Sequence, residues 1–226
     1  MQDHLVCRMR KGFQDCVQVQ MVSTEEDCSS VYPISLVIAG KPCLVVGGGR
    51  VASRKVAGLV RSGAKVTVVA RRVDPSILSH SEVKVLVRNY QPGEASDYWL
   101  VFAATGVKEV DRQVAADAHE AKVWVNCADD PQGCSFMLPA VHCSGSVSVA
   151  VSTAGSSPAL ARWVRDRIAE GLDPRIGEIG RLLQLARQRL KSEGIPTETV
   201  DWNSMIESML TDDDVRSRGN EENRVD

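Results

Sequence analysis

Aromatic side chains make up only 4% of the 226 residues, so any core here must be filled with Val, Ala and Leu. Charge of one sign is not in excess either. Lys and Arg number 27 against 29 Asp and Glu, a net charge of −2. Nothing in that balance calls for nucleic acid or an anionic membrane as a partner, although local basic clusters can still hold an acidic small molecule. No apolar run approaches the roughly 18 residues of a membrane span. Residues 1–30 contain no apolar stretch of signal-peptide length, and they are expected to be a poorly ordered extension without chemistry. The seven cysteines (Cys7, Cys16, Cys28, Cys43, Cys127, Cys134 and Cys143) are odd in number and include no C-x-x-C pair. That pattern favours reduced thiols in a cytoplasmic protein over a disulfide framework. The spacing of Cys127, Cys134 and Cys143 matches no zinc pattern.

What is present, from residue 34 onward, is an alternation of short apolar runs with longer amphipathic ones. Strands are predicted at 42–48, 65–70, 83–88, 99–105 and 122–128, with helices at 50–63 and 108–121. Continuous Val-rich runs between helices imply a parallel sheet covered on both faces, an α/β doubly wound, Rossmann-like fold. The pattern changes after residue 130. Residues 146–153, "SVSVAVST", alternate like a half-buried antiparallel strand, with 135–141 as the expected partner. Helices follow at 156–172, 175–194 and 201–214. The expected organisation is a dinucleotide-binding domain over 31–128, a small mixed segment over 129–155, a helical C-terminal domain over 156–212 and a frayed tail over 213–226.

"VVGGGRVA" sets Gly47, Gly49 and Ala52 in a G-x-G-x-x-A spacing between a strand and a helix. The first glycine permits a tight turn, the second lets backbone approach a pyrophosphate, and the small third residue lets helix and strand pack closely. The following helix start supplies unpaired N–H groups for phosphates. Candidate cofactor-binding residues are Gly47, Gly48, Gly49, Arg50, Val51 and Ala52 in the loop, with Ala70, Arg71, Ala104, Thr105 and Asn126 at the ends of later strands. An acidic residue at the end of the second strand would read the adenosine ribose. Here that strand ends in Ala70, Arg71 and Arg72, which either tolerate a 2′-phosphate or are simply solvated.

"VNCADDPQGCSF" places Asn126, Asp129 and Asp130 just past the fifth strand, at the sheet edge where such folds bind ligands. A carboxylate there can take a proton or face a metal. Asp-Asp-Pro can equally form a cap or turn.

Three stretches in this order, 32–70, 125–140 and 149–168, resemble the precorrin-2 dehydrogenase/sirohydrochlorin ferrochelatase family. The motifs are the Tyr-Pro opening before the glycine loop, N-x-x-D at 126–129, and "STAGSSPALAR" at 152–162. The resemblance implies oxidation of precorrin-2 to sirohydrochlorin with NAD+, followed in many members by Fe2+ insertion to give siroheme. It implies a homodimer joined through the segment after the nucleotide domain. It places the key aspartate on Asp129, for catalysis and for transient metal contact, and the tetrapyrrole beside Ser152 and Thr153. It also sets aside the NADP+ hint of Arg71 and Arg72. A polycarboxylate substrate suits hydroxyl and cationic donors, which Ser152, Thr153, Ser156, Ser157, Arg162 and Arg165 provide; the same run also reads as a capped helix with exposed arginines. One departure is "HCSG" at 142–145, where the family commonly has a charged pair; His142 is there either a structural residue or an iron ligand. Nothing after residue 190 is expected to hold the methyltransferase domain of longer siroheme synthases. A dehydrogenase without chelatase activity and a noncatalytic NAD(H) sensor remain the alternatives.

Overall fold

The structure, a computed structural model, describes residues 31–211. The expected extension at 1–30 and tail at 213–226 lie outside the described residues. The elements below all belong to the unit Ser35–Asp226.

Five parallel strands, β1 (Pro42–Val46), β2 (Lys65–Ala70), β3 (Lys84–Val87), β4 (Leu100–Ala103) and β5 (Trp124–Cys127), form one sheet in the order β3-β2-β1-β4-β5. Helix α1 (Arg50–Arg61) follows β1, and a four-residue helix α2 (Pro75–Leu78) follows β2. Helix α3 (Lys108–Glu120) joins β4 to β5. Successive strand residues point to opposite faces. Cys43 and Val45 therefore share a core with Ala52, Val56 and Leu59 of α1, whereas Leu44 and Val46 join Val114, Ala115 and Ala118 of α3. Both faces are covered, which is why β1 reads as an unbroken apolar run. Each such fully buried Val or Leu contributes about 1.5–3 kcal/mol.

Two short elements in the connections between sheet strands were not foreseen. Helix α2 is set by Asp74, whose carboxylate accepts the Ser76 N–H at 2.9 Å ahead of Pro75 at the first helical position. A 3-10 turn at Glu94–Asp97 is anchored from α3: Gly93 N–H and Tyr90 O–H both donate to Asp117 Oδ2 at 2.7 Å, and Gln113 Nε2 donates to Oδ1 at 2.6 Å. Burial opposes charge on Asp117, but these three donors outweigh it and hold its carboxyl below the usual carboxylate range. A depressed folded-state pKa stabilises above the unfolded value, near 4, and the contribution is lost as pH falls through the folded value. Asp117→Ala is expected to lower stability by about 1–3 kcal/mol at neutral pH. The deficit should shrink in urea titrations repeated at successively lower pH below about 4.

After β5 the chain doubles back. Ser135 N–H donates to Val125 O at 2.8 Å, Val125 N–H to Ser135 Oγ at 2.7 Å, and the Asn126 amide to Phe136 O at 3.1 Å. The strand expected over 135–141 is thereby displaced. It begins only at Ala140, because 135–136 are committed to β5 and Pro139 has no N–H for a ladder. Strands β6 (Ala140–Ser144) and β7 (Val147–Val151) form an antiparallel hairpin that packs on α4 (Pro158–Gly171). His142 pairs with Val149 on the partly buried face of that hairpin. Gly145, in the hairpin turn, has φ +55°, and a Cβ there would lie 2.9 Å from the Cα of Gly177 in α5 (Ile176–Ser192). The final helix, α6 (Trp202–Thr211), is tied back by Arg175, which donates to Leu210 O at 2.7 Å and to Asp173 at 2.9 Å. Among the described residues no helix is long and apolar enough to cross a membrane.

Candidate nucleotide and active site

The chain leaves β1 toward β2 on one side and later returns to β4 on the other. A crevice therefore opens between the C-terminal ends of β1 and β4, where doubly wound sheets bind ligands. The glycine loop sits on it. Gly47 has φ +123°, and a Cβ there would lie 2.2 Å from Ala104 O. A Cβ on Gly48 would lie 2.1 Å from Arg72 O. Both glycines are thus required by backbone pressed against them. Gly49 differs: its Cβ would meet nothing within 4 Å, and it caps α1 without any side-chain hydrogen bond. The first turn of α1 contains no acidic residue. Its leading N–H groups lie at the positive end of the helix dipole, an arrangement suited to a pyrophosphate. Gly47 N–H donates to Val69 O at 2.9 Å and Asp74 N–H to Gly48 O at 2.7 Å, which pins the loop to β2. Ala52 is fully buried and lets α1 lie close to the sheet, whereas Arg50 and Val51 are exposed.

The other candidates for the nucleotide fall at the same edge but differ in freedom. Ala70 closes β2 and Arg71 follows it, exposed. Ala104 is held by its N–H on Val46 O at 2.8 Å. Thr105 is occupied: its N–H and hydroxyl donate to Asp111 Oδ1 at 3.1 and 2.8 Å, and its hydroxyl accepts from Val107 N–H at 3.0 Å. Asp111 is buried and shapes this second loop. It belongs to none of the sequence motifs, although an Asp in the first turn of a helix six residues after Thr is a visible signal. Asn126 is also buried, its amide on Phe136 O, so it positions the turn after β5 and offers that donor to no ligand.

That turn separates the two aspartates. Asp130 accepts from the N–H groups of Gln132 and Gly133 at 3.2 and 3.4 Å and caps the 3-10 turn Pro131–Gly133. Asp129 is exposed, and its carboxylate has no hydrogen bond among the described residues. Cys134 Sγ accepts the Cys127 N–H at 3.1 Å, which closes the turn. Burial, helped by Cys134, pushes the Cys127 thiol up to about 12, so it stays protonated. Lys55, another residue the sequence did not single out, is half-buried on α1 with its ammonium 5.6 Å from the Phe102 ring centre. Burial and then Arg54 lower its pKa, and Cys134 partly opposes them.

The Ser-Pro segment is braced by its own hydroxyls. Thr153 Oγ1 donates to Ser157 O at 3.0 Å and accepts from Ser157 N–H at 3.2 Å, and the Ser156 hydroxyl donates to Thr153 O at 2.6 Å. Ser157 Oγ caps α4 by accepting the Leu160 N–H at 3.2 Å. Ser152 Oγ accepts the Ala154 N–H at 3.2 Å. Arg165 is paired with Asp166 at 2.5 Å, whereas Arg162 is exposed and makes no ion pair among the described residues. No group of three or more His, Cys, Asp or Glu among the described residues is placed to hold a metal ion, His142 included.

Comparison with known proteins agrees with this layout. Residues 34–140 match the family model described as putative NAD(P)-binding, and residues 145–170 match the one for the sirohaem biosynthesis protein central segment. Siroheme synthase 3 of Aeromonas hydrophila is 34% identical over 163 residues, 71% of this chain and 35% of that protein. The siroheme synthase of Psychromonas ingrahamii is 36% identical over 70% of this chain and 34% of its own length. The chain thus spans about a third of these curated relatives. Among solved structures, "SirC, precorrin-2 dehydrogenase" superposes with a TM-score of 0.65 at 24% identity, covering 82% of this chain and 92% of that one; this shows a shared fold. The glycine loop, the N-x-x-D turn and the Ser-Pro helix start all fall inside the two matched spans, and the chain belongs to the siroheme-synthase family, in the part that carries its NAD(P)-binding and central segments.

Proposed function

We propose that the chain oxidises precorrin-2 to sirohydrochlorin on the route to siroheme, with a nicotinamide dinucleotide as acceptor and NAD+ sufficient for it. The observation that carries the proposal is the sharing of one sheet edge by an open glycine cradle and the unpartnered carboxylate of Asp129. The ends of β1 and β5 are two strand spacings apart, about 10 Å. Bound there, the dinucleotide supplies a two-electron acceptor for a hydride from the macrocycle. The chain's own part is to hold the pyrophosphate on the N–H groups of α1 and, at Asp129, to accept the proton the macrocycle loses. Arg162 is an exposed, unpaired cation on α4 for the macrocycle's carboxylates, with Ser152 beside the loop that Thr153, Ser156 and Ser157 brace. The names of the relatives and of the structural neighbour support this substrate class.

The test is anaerobic incubation of the purified chain with precorrin-2 and NAD+. Sirohydrochlorin absorption should appear together with an equal amount of reduced nicotinamide. Dinucleotide binding without turnover would leave a noncatalytic sensor instead. Adding Fe2+ to the product separates the two enzyme forms. Siroheme formation faster than in the protein-free mixture makes Fe2+ a second substrate, passed by Asp129, and an equal rate makes the chain a dehydrogenase alone. The working unit we propose is a homodimer, since α4 leaves Leu160, Trp163 and Ile168 exposed at 50%, 58% and 40%. Light scattering should give twice the chain mass.

A further inference from the structure

We propose that Arg71 and Arg72 form a 2′-phosphate site, so that NADP+ is bound more tightly than NAD+; this rests on the dinucleotide reading of the glycine loop. In doubly wound nucleotide folds the adenosine ribose lies at the end of the second strand, where a carboxylate selects the unphosphorylated ribose by accepting from its hydroxyls. A phosphate at that position would meet like charge. Here β2 ends at Ala70, and the first acid after it is Asp74. Asp74 is already engaged: its Oδ1 accepts the Ser76 N–H at 2.9 Å and the Ser76 hydroxyl at 2.6 Å, as the cap of α2. Those two bonds also hold its carboxyl below the usual range. One carboxylate oxygen of Asp74 is thus given to the cap of α2, and none of residues 71–73 carries a carboxylate.

The arginines stand in the opposite condition. Of the fourteen described arginines, Arg88, Arg165, Arg167, Arg175, Arg181 and Arg189 pair with an Asp or Glu between 2.5 and 2.9 Å, and the other eight, Arg71 and Arg72 among them, make no ion pair among the described residues. Arg71 and Arg72 are exposed and make no ion pair or hydrogen bond among the described residues. Their backbone is fixed against the phosphate cradle rather than carried on a free loop. Arg72 O is the atom that excludes a Cβ from Gly48, and Asp74 N–H binds Gly48 O at 2.7 Å. A hydrogen bond of 2.7 Å between the Ser53 and Ser76 hydroxyls ties α1 to α2 across the same crossover. Two exposed arginines directly after β2, on backbone that abuts the glycine loop, offer forked donors matched to a phosphate dianion.

Calorimetric titration of the full chain with NAD+ and with NADP+, at low ionic strength, tests this without any turnover. NADP+ is expected to bind at least about tenfold more tightly, and the preference should shrink as salt is raised. The double substitution Arg71→Ala/Arg72→Ala should weaken NADP+ by at least about tenfold more than it weakens NAD+. Both side chains are exposed, so the variant should keep the melting temperature of the parent. Equal affinities, or an NADP+ affinity untouched by the double substitution, overturn the 2′-phosphate site and leave the dinucleotide reading standing. Failure of both dinucleotides to bind overturns the two together.

Discussion

Gly47→Ala is expected to lower folding stability by about 3 kcal/mol or more and to abolish dinucleotide binding. At φ +123° the residue lies outside even the left-handed helical region that L side chains occasionally visit. The added carbon would also stand 2.2 Å from Ala104 O, a backbone atom that cannot swing aside. Relief requires the ends of β1 and β4 to part, which would cost the bond of 2.8 Å from Ala104 N–H to Val46 O. The crevice itself is built on that contact. Gly49→Ala supplies the contrast. With φ −88° and nothing within 4 Å of the new carbon, its stability should stay within about 0.5 kcal/mol of the parent. Its methyl nevertheless projects over the N-terminus of α1, so NAD+ affinity should fall at least about tenfold. Urea titration and calorimetry separate the two effects. A Gly49→Ala chain that binds NAD+ as tightly as the parent would mean that the pyrophosphate lies elsewhere.

These two glycines also mark how far the sequence could be read. The strand–loop–helix frame was legible because it rests on local signals: an apolar run covered on both faces, a glycine cluster, and helical spacing of Ala52, Val56 and Leu59. The division of labour inside the loop was not. Gly48, an unassigned position in the G-x-G-x-x-A spacing, is fixed by the Arg72 carbonyl, and nothing within the loop itself announces a neighbour arriving 24 residues later. The same reason hid Asp117, which binds a turn some 24 residues before it. It also hid the return of 135–136 onto β5, which moved the expected strand to Ala140. Residue type told where polar groups cluster. Only the fold tells which of them are already engaged, as with Thr105, Asn126 and Thr153.

The adjacent aspartates turn that distinction into a measurable difference. Asp129→Ala is expected to reduce turnover by about 100-fold or more, the scale of a lost proton acceptor, while melting temperature and NAD+ affinity hold. The reason is structural: the side chain is exposed and supports no neighbour, so removing it disturbs only the reaction. Asp130→Ala should do the reverse first. Losing the acceptor for the Gln132 and Gly133 N–H groups removes a cap worth about 0.5–2 kcal/mol, and stability falls accordingly. Activity then drops only as far as the loosened turn misplaces Asp129. Asp129→Asn keeps the shape and an acceptor oxygen but not the basicity, and it should be nearly as inactive as Asp129→Ala. Single-turnover kinetics on the three variants at saturating dinucleotide decide between the roles. If Asp129→Asn retains turnover within about tenfold of the parent, the carboxylate is not the proton acceptor, and the base must be sought elsewhere along the same sheet edge.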